Sequence, residues 1–135
     1  MKSVVRASAT LALACGSVTP VSAHHSASAV FDFEAPVEIT GTLTEVRWIN
    51  PHIQITVDPD DKESFSESWG FESQPPQWYR RVNVSRRVFE DAIGKQVTVL
   101  GFKARNGTAY GFVRRMTFPD GTVFLMVGDR GENVE

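Results

Sequence analysis

Cysteine is almost missing from this chain: Cys15 is the only one among 135 residues. A disulfide framework and a thiolate metal cage are both excluded. Histidine is nearly as scarce, with three residues, His24, His25 and His52. Basic charge is not in excess, since 14 Lys and Arg face 16 Asp and Glu. A phosphate-backbone binder needs a concentrated basic face, so nucleic acid is an unsuitable partner. No apolar run reaches the ~20 residues of a membrane-spanning helix. Also missing are a Gly-rich phosphate loop, a Ser-His-Asp set in a supporting context, a convincing carboxylate pair, internal repeats and low-complexity segments.

What is present begins with an export signal. Lys2 and Arg6 supply a positive start, Ala7 to Val18 is apolar or small, and Pro20 ends the run. Val21-Ser22-Ala23 then offers the small residues a signal peptidase needs, which predicts cleavage after Ala23 and a periplasmic or secreted protein. Ala27-Ser28-Ala29 is a rival cut, but lies far beyond the apolar run. Ala12-Leu13-Ala14 before Cys15 is a poor lipobox. Cleavage after Ala23 removes the only thiol and two of the basic residues while all the acids stay. The expected organisation is a signal peptide over 1–23, an N-terminal arm over 24–36, a β domain over 37–128 and a loose tail over 129–135.

The β signals start at Val37. Val37, Ile39, Gly41 and Leu43 alternate with Glu38, Thr40 and Thr42, the period of a half-buried strand. Val46 and Trp48 then fall on the other parity, so a bulge is expected near Thr44-Glu45. Asn50-Pro51 ends this strand. Ile53, Ile55 and Val57 point inward on a second strand, and Phe65, Trp69 and Phe71 share a parity on a third. Pro76 suits the first turn of a short helix, "PQWYRR". In "SRRVFEDAIG", Ser85 is the expected N-cap, Val88, Phe89, Ala92 and Ile93 the buried stripe, and Gly94 the stop. Two more strand signals flank the Asn106-Gly107 hairpin dipeptide, and "TVFLMV" follows the turn at Pro119-Asp120-Gly121. Three strands, a helical connection, then two or three strands fit a mainly β, OB-like, five-stranded, partly open barrel with its helix between strands 3 and 4. A β-sandwich is the alternative. Neither names a function, because one fold hosts many.

The histidines carry the chemistry. Cleavage after Ala23 makes His24 the first residue, with a free amine (reference pKa about 7.7–8.0) beside its own imidazole (about 6.5). Both shed protons near neutral pH, and the amine and ring Nδ1 close a chelate. His25 or His52 supplies a further nitrogen. Three nitrogens in a plane suit Cu(II), while zinc takes the same atoms tetrahedrally. Asp32 is a candidate carboxylate, as is Glu34. Pro51 fixes its own φ and restricts Asn50, so the backbone entering His52 is stiff. Trp48 is read either as a wall beside His52 or as filling of the barrel mouth. The plainer alternative makes His24-His25 an undedicated terminus and His52 a turn residue.

Weaker features complete the inventory. Arg80-Arg81, Arg86-Arg87 and Arg114-Arg115 are read as solvated faces rather than an anion site, and Trp69, Phe71, Trp78 and Tyr79 as core rather than a stacking platform. Met116 and Met126 are read as gap-fillers.

The stretch His24-His25-Ser26, Phe31-Asp32, Gly41-Thr42-Leu43 and Trp48 with Asn50-Pro51-His52 resembles a family of small exported bacterial proteins, domain of unknown function 6152. The later "GKQVTVLGFKARNGTAYGFVRRMTFPDG" is similar to that family's ending. The resemblance covers nearly all of the mature chain. It departs at Ala27, where the family has Phe, and in a longer aromatic connection, "PPQWYRRVNVSRR". It implies an exported OB-like protein and no established activity. A pattern holding a terminal His-His and a corner histidine together implies that they meet in space, which favours a metal-binding protein over a metal-free interaction module. A histidine-brace oxidase shares the ligand set and ranks last, since no substrate surface is visible.

Overall fold

A computed structural model of the chain describes residues 27–125. A short helix α1 (Ala27–Val30) leads into β1 (Phe31–Arg47), followed by β2 (Gln54–Pro59) and β3 (Trp69–Glu72). Two short helices, α2 (Pro76–Arg81) and α3 (Arg86–Glu90), connect to β4 (Gln96–Ala104), β5 (Tyr110–Thr117) and β6 (Val123–Leu125). The sheet order is β3-β2-β1-β4-β5-β6, antiparallel except for an additional parallel pairing of β3 with β5 that partly closes the sheet on itself. The protein is thus mainly β, with its helices between β3 and β4, compatible with the OB-like barrel read from the sequence. The described residues form six strands rather than five. The sixth is three residues long and pairs with the end of β5.

The long first strand serves two neighbours. Its first part pairs with β4 and its second with β2. The shared strand must bend, and the register with β2 shifts between Leu43 and Glu45, where the apolar phase slips. Gly41 lies where the two backbones press together: a Cβ there would sit 2.2 Å from the Asp58 carbonyl oxygen. β1 begins at Phe31, inside the segment read as an arm. Phe31 is buried with Phe102, Ala104 and Phe112 in a second apolar cluster, distinct from the main core.

The main core is the inward alternation made solid. Leu43, Ile53, Val57, Phe71, Val99, Val113 and Met116 are fully buried. The connection caps one end of it. Tyr79 from α2 and Phe89 from α3 are buried edge-to-face at 5.2 Å, and Phe89 meets Phe118 at the same distance. The Tyr79 hydroxyl would be orphaned there, but it shares a short hydrogen bond with the buried Ser73 hydroxyl. α3 ends at Glu90 with Asp91 as its C-cap, and Gly94, at φ +80, closes the turn that follows, a conformation that suits glycine. Two expectations for α3 are corrected. Ser85 occupies the N-cap position without a side-chain cap hydrogen bond, and Ile93 is exposed, because the helix stops at Glu90 before that face turns inward.

Candidate functional site

The corner after β1 puts its residues on alternate sides of the barrel wall. Trp48 turns inward, its ring centroid 5.4 Å from Tyr79 and 5.5 Å from Phe89. It therefore packs against the core at the barrel end. Asn50 is exposed and joined to Pro51 by a cis peptide. Ile53 is fully buried; its N–H donates to the Gln74 carbonyl and its carbonyl accepts from Ser73 N–H. His52 is held between these two anchors with its side chain 41% exposed.

The register of β2 and β3 then supplies a partner. Gln54 stands opposite Glu72. His52, two residues upstream on the same parity, reaches Glu72 diagonally. His52 Nδ1 lies 2.5 Å from Glu72 Oε1. At that separation a proton must sit between the atoms, and the carboxylate is the acceptor. The contact orients the ring and assigns its Nδ1 to Glu72. In the neutral imidazole, Nε2 is then left with the lone pair.

Further polar groups surround the pair. Arg47 Nη1 donates to Gln54 Oε1 at 3.1 Å. The Tyr110 ring lies across Gly70, where a Cβ would come within 2.7 Å of Tyr110 Cδ2. Burial pushes the Tyr110 phenol above its ordinary pKa, the Glu72 carboxylate adds to this, and Arg47 acts in the opposite direction. The phenol thus senses both charges flanking Gln54. Arg47, His52, Gln54, Glu72 and Tyr110 form one polar cluster on the outside of β1, β2 and β3, where β5 joins.

The start of the described chain approaches this cluster from the Tyr110 side. Arg105, in the β4–β5 turn, donates from its backbone N–H to the Val30 carbonyl at 2.9 Å and from Nε to the Ser28 carbonyl at 3.0 Å. Phe31 stacks on Tyr110 at 6.1 Å. Asp32 is 3.4 Å from Arg105 and accepts the Glu34 N–H at 3.2 Å. His24 and His25 lie outside the described residues, and so does the expected approach of His24 to His52. Among the described residues, no group of three or more His, Cys, Asp or Glu side chains is close enough to hold a metal ion.

Glu72 and Tyr110 were not singled out from the sequence. Alternation in β3 does mark Glu72 as outward, between buried Phe71 and Ser73. Its meeting with His52 depends on a register that only the fold reveals. Arg86 and Arg87 pair with Glu90 and Asp91 one turn on, Arg115 pairs with Glu38, and Arg114 lies over the Phe102 ring at 5.9 Å. A cleft of about 230 Å³ between α3 and the β5–β6 turn, lined by Val88, Asp91, Lys95 and Phe118, contains no histidine. No helix among the described residues is long and apolar enough to cross a membrane. A family model described as a family of unknown function (DUF6152) matches residues 11–114. No curated protein matches the chain.

Proposed function

The chain belongs to the DUF6152 family, and from that premise we propose that it is a small exported metal-binding protein, holding Cu(II) through the mature N-terminal histidine and His52. The observation that carries this reading is the His52–Glu72 contact. Metal-ligating histidines characteristically give their second ring nitrogen to a carboxylate, which orients the ring and raises its basicity. His52 has that arrangement, on a fixed backbone, with Nε2 as the remaining donor.

The path of the chain supports the second half of the reading. Ala27 starts a helix tied to Arg105, and Phe31 is packed on Tyr110 beside Glu72. Two residues separate a His24 terminus from Ala27, and the three chain steps between them reach roughly 10 Å. The amine and ring of His24 with Nε2 of His52 would make a three-nitrogen set, which suits Cu(II) more than zinc. His25 is the alternative donor. In this role the protein takes up or passes on a metal ion in the periplasm.

Titration of the mature chain beginning at His24 with Cu(II), alongside His24→Ala and His52→Ala, tests the reading. Binding should weaken strongly in both variants, and intact-mass analysis of the exported form should show His24 as its first residue. Unchanged submicromolar affinity in both variants refutes the metal site. The second reading is a metal-free interaction module, with the barrel face or the aromatic helical connection docking a partner or small ligand. It requires the histidine variants to leave copper affinity unaltered.

A further inference from the structure

The β2–β3 loop and the β4–β5 hairpin face each other across a cleft of about 320 Å³, whose lining includes Ser64, Ser66, Glu67, Trp69, Lys103 and Thr108. It shares no residue with the His52 corner. Both banks are held by local hydrogen bonds. On one, the Asp61 carboxylate accepts the Glu63 and Ser64 N–H groups at 3.1 and 3.0 Å, and Phe65 N–H donates to the Asp61 carbonyl at 3.1 Å. The Phe65 ring then stands edge-on to Trp69 at 5.8 Å. On the other bank, Asn106 Oδ1 accepts the Thr108 N–H at 3.2 Å and the Thr108 hydroxyl at 2.8 Å. Gly70 N–H donates to the Ala109 carbonyl at 3.0 Å and ties β3 to the hairpin. Trp69, nearly buried, supplies an apolar floor. The cleft is thus built by the fold itself.

Charge decides what such a cleft can hold. Lys62, Arg105 and Arg115 are each engaged by a carboxylate. Glu67 on one bank and Lys103 on the other are exposed, and neither forms an ion pair or hydrogen bond with a described residue, the two included. Opposite charges that line one cavity without meeting complement a ligand that carries both. We propose that this cleft binds a small zwitterion of the free amino acid type, with its ammonium on Glu67, its carboxylate on Lys103 and its side chain toward Trp69. A ligand with only an amine is attracted by Glu67 but repelled by Lys103, and one with only a carboxylate meets the reverse. Selectivity therefore comes from repulsion as much as from attraction. The volume lies at the small end of ligand pockets, which suits a body of this size. The assignment is independent of the copper reading.

The experiment follows the indole N–H signals of the mature chain by NMR during titration with L-leucine, with isoamylamine (leucine without its carboxylate) and with isocaproate (leucine without its amine). The Trp69 signal should shift and saturate with leucine, while Trp48 and Trp78, which pack on Tyr79, stay fixed. Leucine should bind at least about tenfold more tightly than either analogue. Glu67→Gln should weaken leucine about tenfold and leave it no better than isocaproate, and Lys103→Gln should leave it no better than isoamylamine. Both side chains are exposed and without partners among the described residues, so neither variant puts folding at stake. A Trp69 signal that stays fixed with leucine and with a panel of the other free amino acids overturns the assignment. Equal binding of leucine and its two analogues by the parent overturns it as well, as does parent-like leucine binding in either variant.

Discussion

Replacing Glu72 separates a metal site from a structural corner, because the two readings assign opposite consequences to the same contact. The His52 and Glu72 side chains are 41% and 24% exposed. A polar contact so open to water contributes about 0–1 kcal/mol to stability. Glu72→Gln keeps an acceptor for Nδ1–H, and Glu72→Ala removes it, yet neither leaves a buried group without a partner. Both metal-free variants should therefore melt close to the parent. Copper affinity should respond far more, because losing the carboxylate behind a ligating imidazole typically costs 10–100-fold, with Gln nearer the lower figure and Ala the higher. At free copper equal to 100 times the parent dissociation constant, binding stabilises the parent by about 2.7 kcal/mol. A tenfold weaker variant retains about 1.4 kcal/mol of that, so the copper-induced rise in Tm should shrink by roughly half. Melting with and without copper, together with competition against a chelating dye, reads both quantities. If Glu72→Ala destabilises the metal-free chain by several kcal/mol and leaves copper affinity intact, the contact is structural and the argument from it fails.

Two further predictions concern the barrel. Gly41→Ala places a methyl 2.2 Å from the Asp58 carbonyl oxygen and 2.8 Å from Pro59 Cα. Both are backbone atoms that cannot swing aside, so the substitution should cost at the upper end of ~1–3 kcal/mol, seen as a lower urea midpoint with an unchanged slope. Tyr79 is buried, and burial raises its pKa well above 10. Above pH ~10 the unfolded chain loses that phenolic proton while the folded chain keeps it. Stability should then fall with rising pH by up to ~1.4 kcal/mol per unit. In Tyr79→Phe this alkaline decline should be shallower, with the remaining tyrosine, Tyr110, contributing in the same direction. An unchanged pH profile in Tyr79→Phe would contradict the assignment.

Local signals carried the interior of the barrel, and non-local ones shaped its outside. The phase slip after Leu43 announced the bulge because a strand of period two cannot change faces without an extra residue. Pro76 announced its helix start for an equally local reason. The early start of β1 was hidden because Phe31 and Phe33 pack against Phe112 and Phe102 outside the main core, so they do not continue the alternation that begins at Val37. Their pairing with β4 is also irregular between Phe31 and Pro36. At the site, His52 was legible from its scarcity and its place after Pro51. Glu72 was not, because twenty residues of turn and strand separate the two, and only the Gln54–Glu72 register unites them. Trp48 carried two readings because a residue at a corner can face either way, and the burial of Tyr79 and Phe89 beneath it decides the matter.

The corner divides stability from chemistry over a few residues. Trp48 and Ile53 face the core and lock the chain at both ends, through ring packing on one side and two backbone hydrogen bonds to β3's exit on the other. Between them Asn50, Pro51 and His52 are open to solvent or nearly so. Under the proposed copper reading, a ring held this way would lose little freedom on binding, because folding has already fixed its backbone and Glu72 its orientation, and such preorganisation strengthens binding without new contacts. The same division means that the His52 side chain contributes little to the core, so selection for folding alone places no demand for imidazole at that position. Under the proposed copper reading, that stiff, core-anchored support leaves Nε2 of a ring whose Nδ1 is engaged by Glu72 as the nitrogen that would meet the metal.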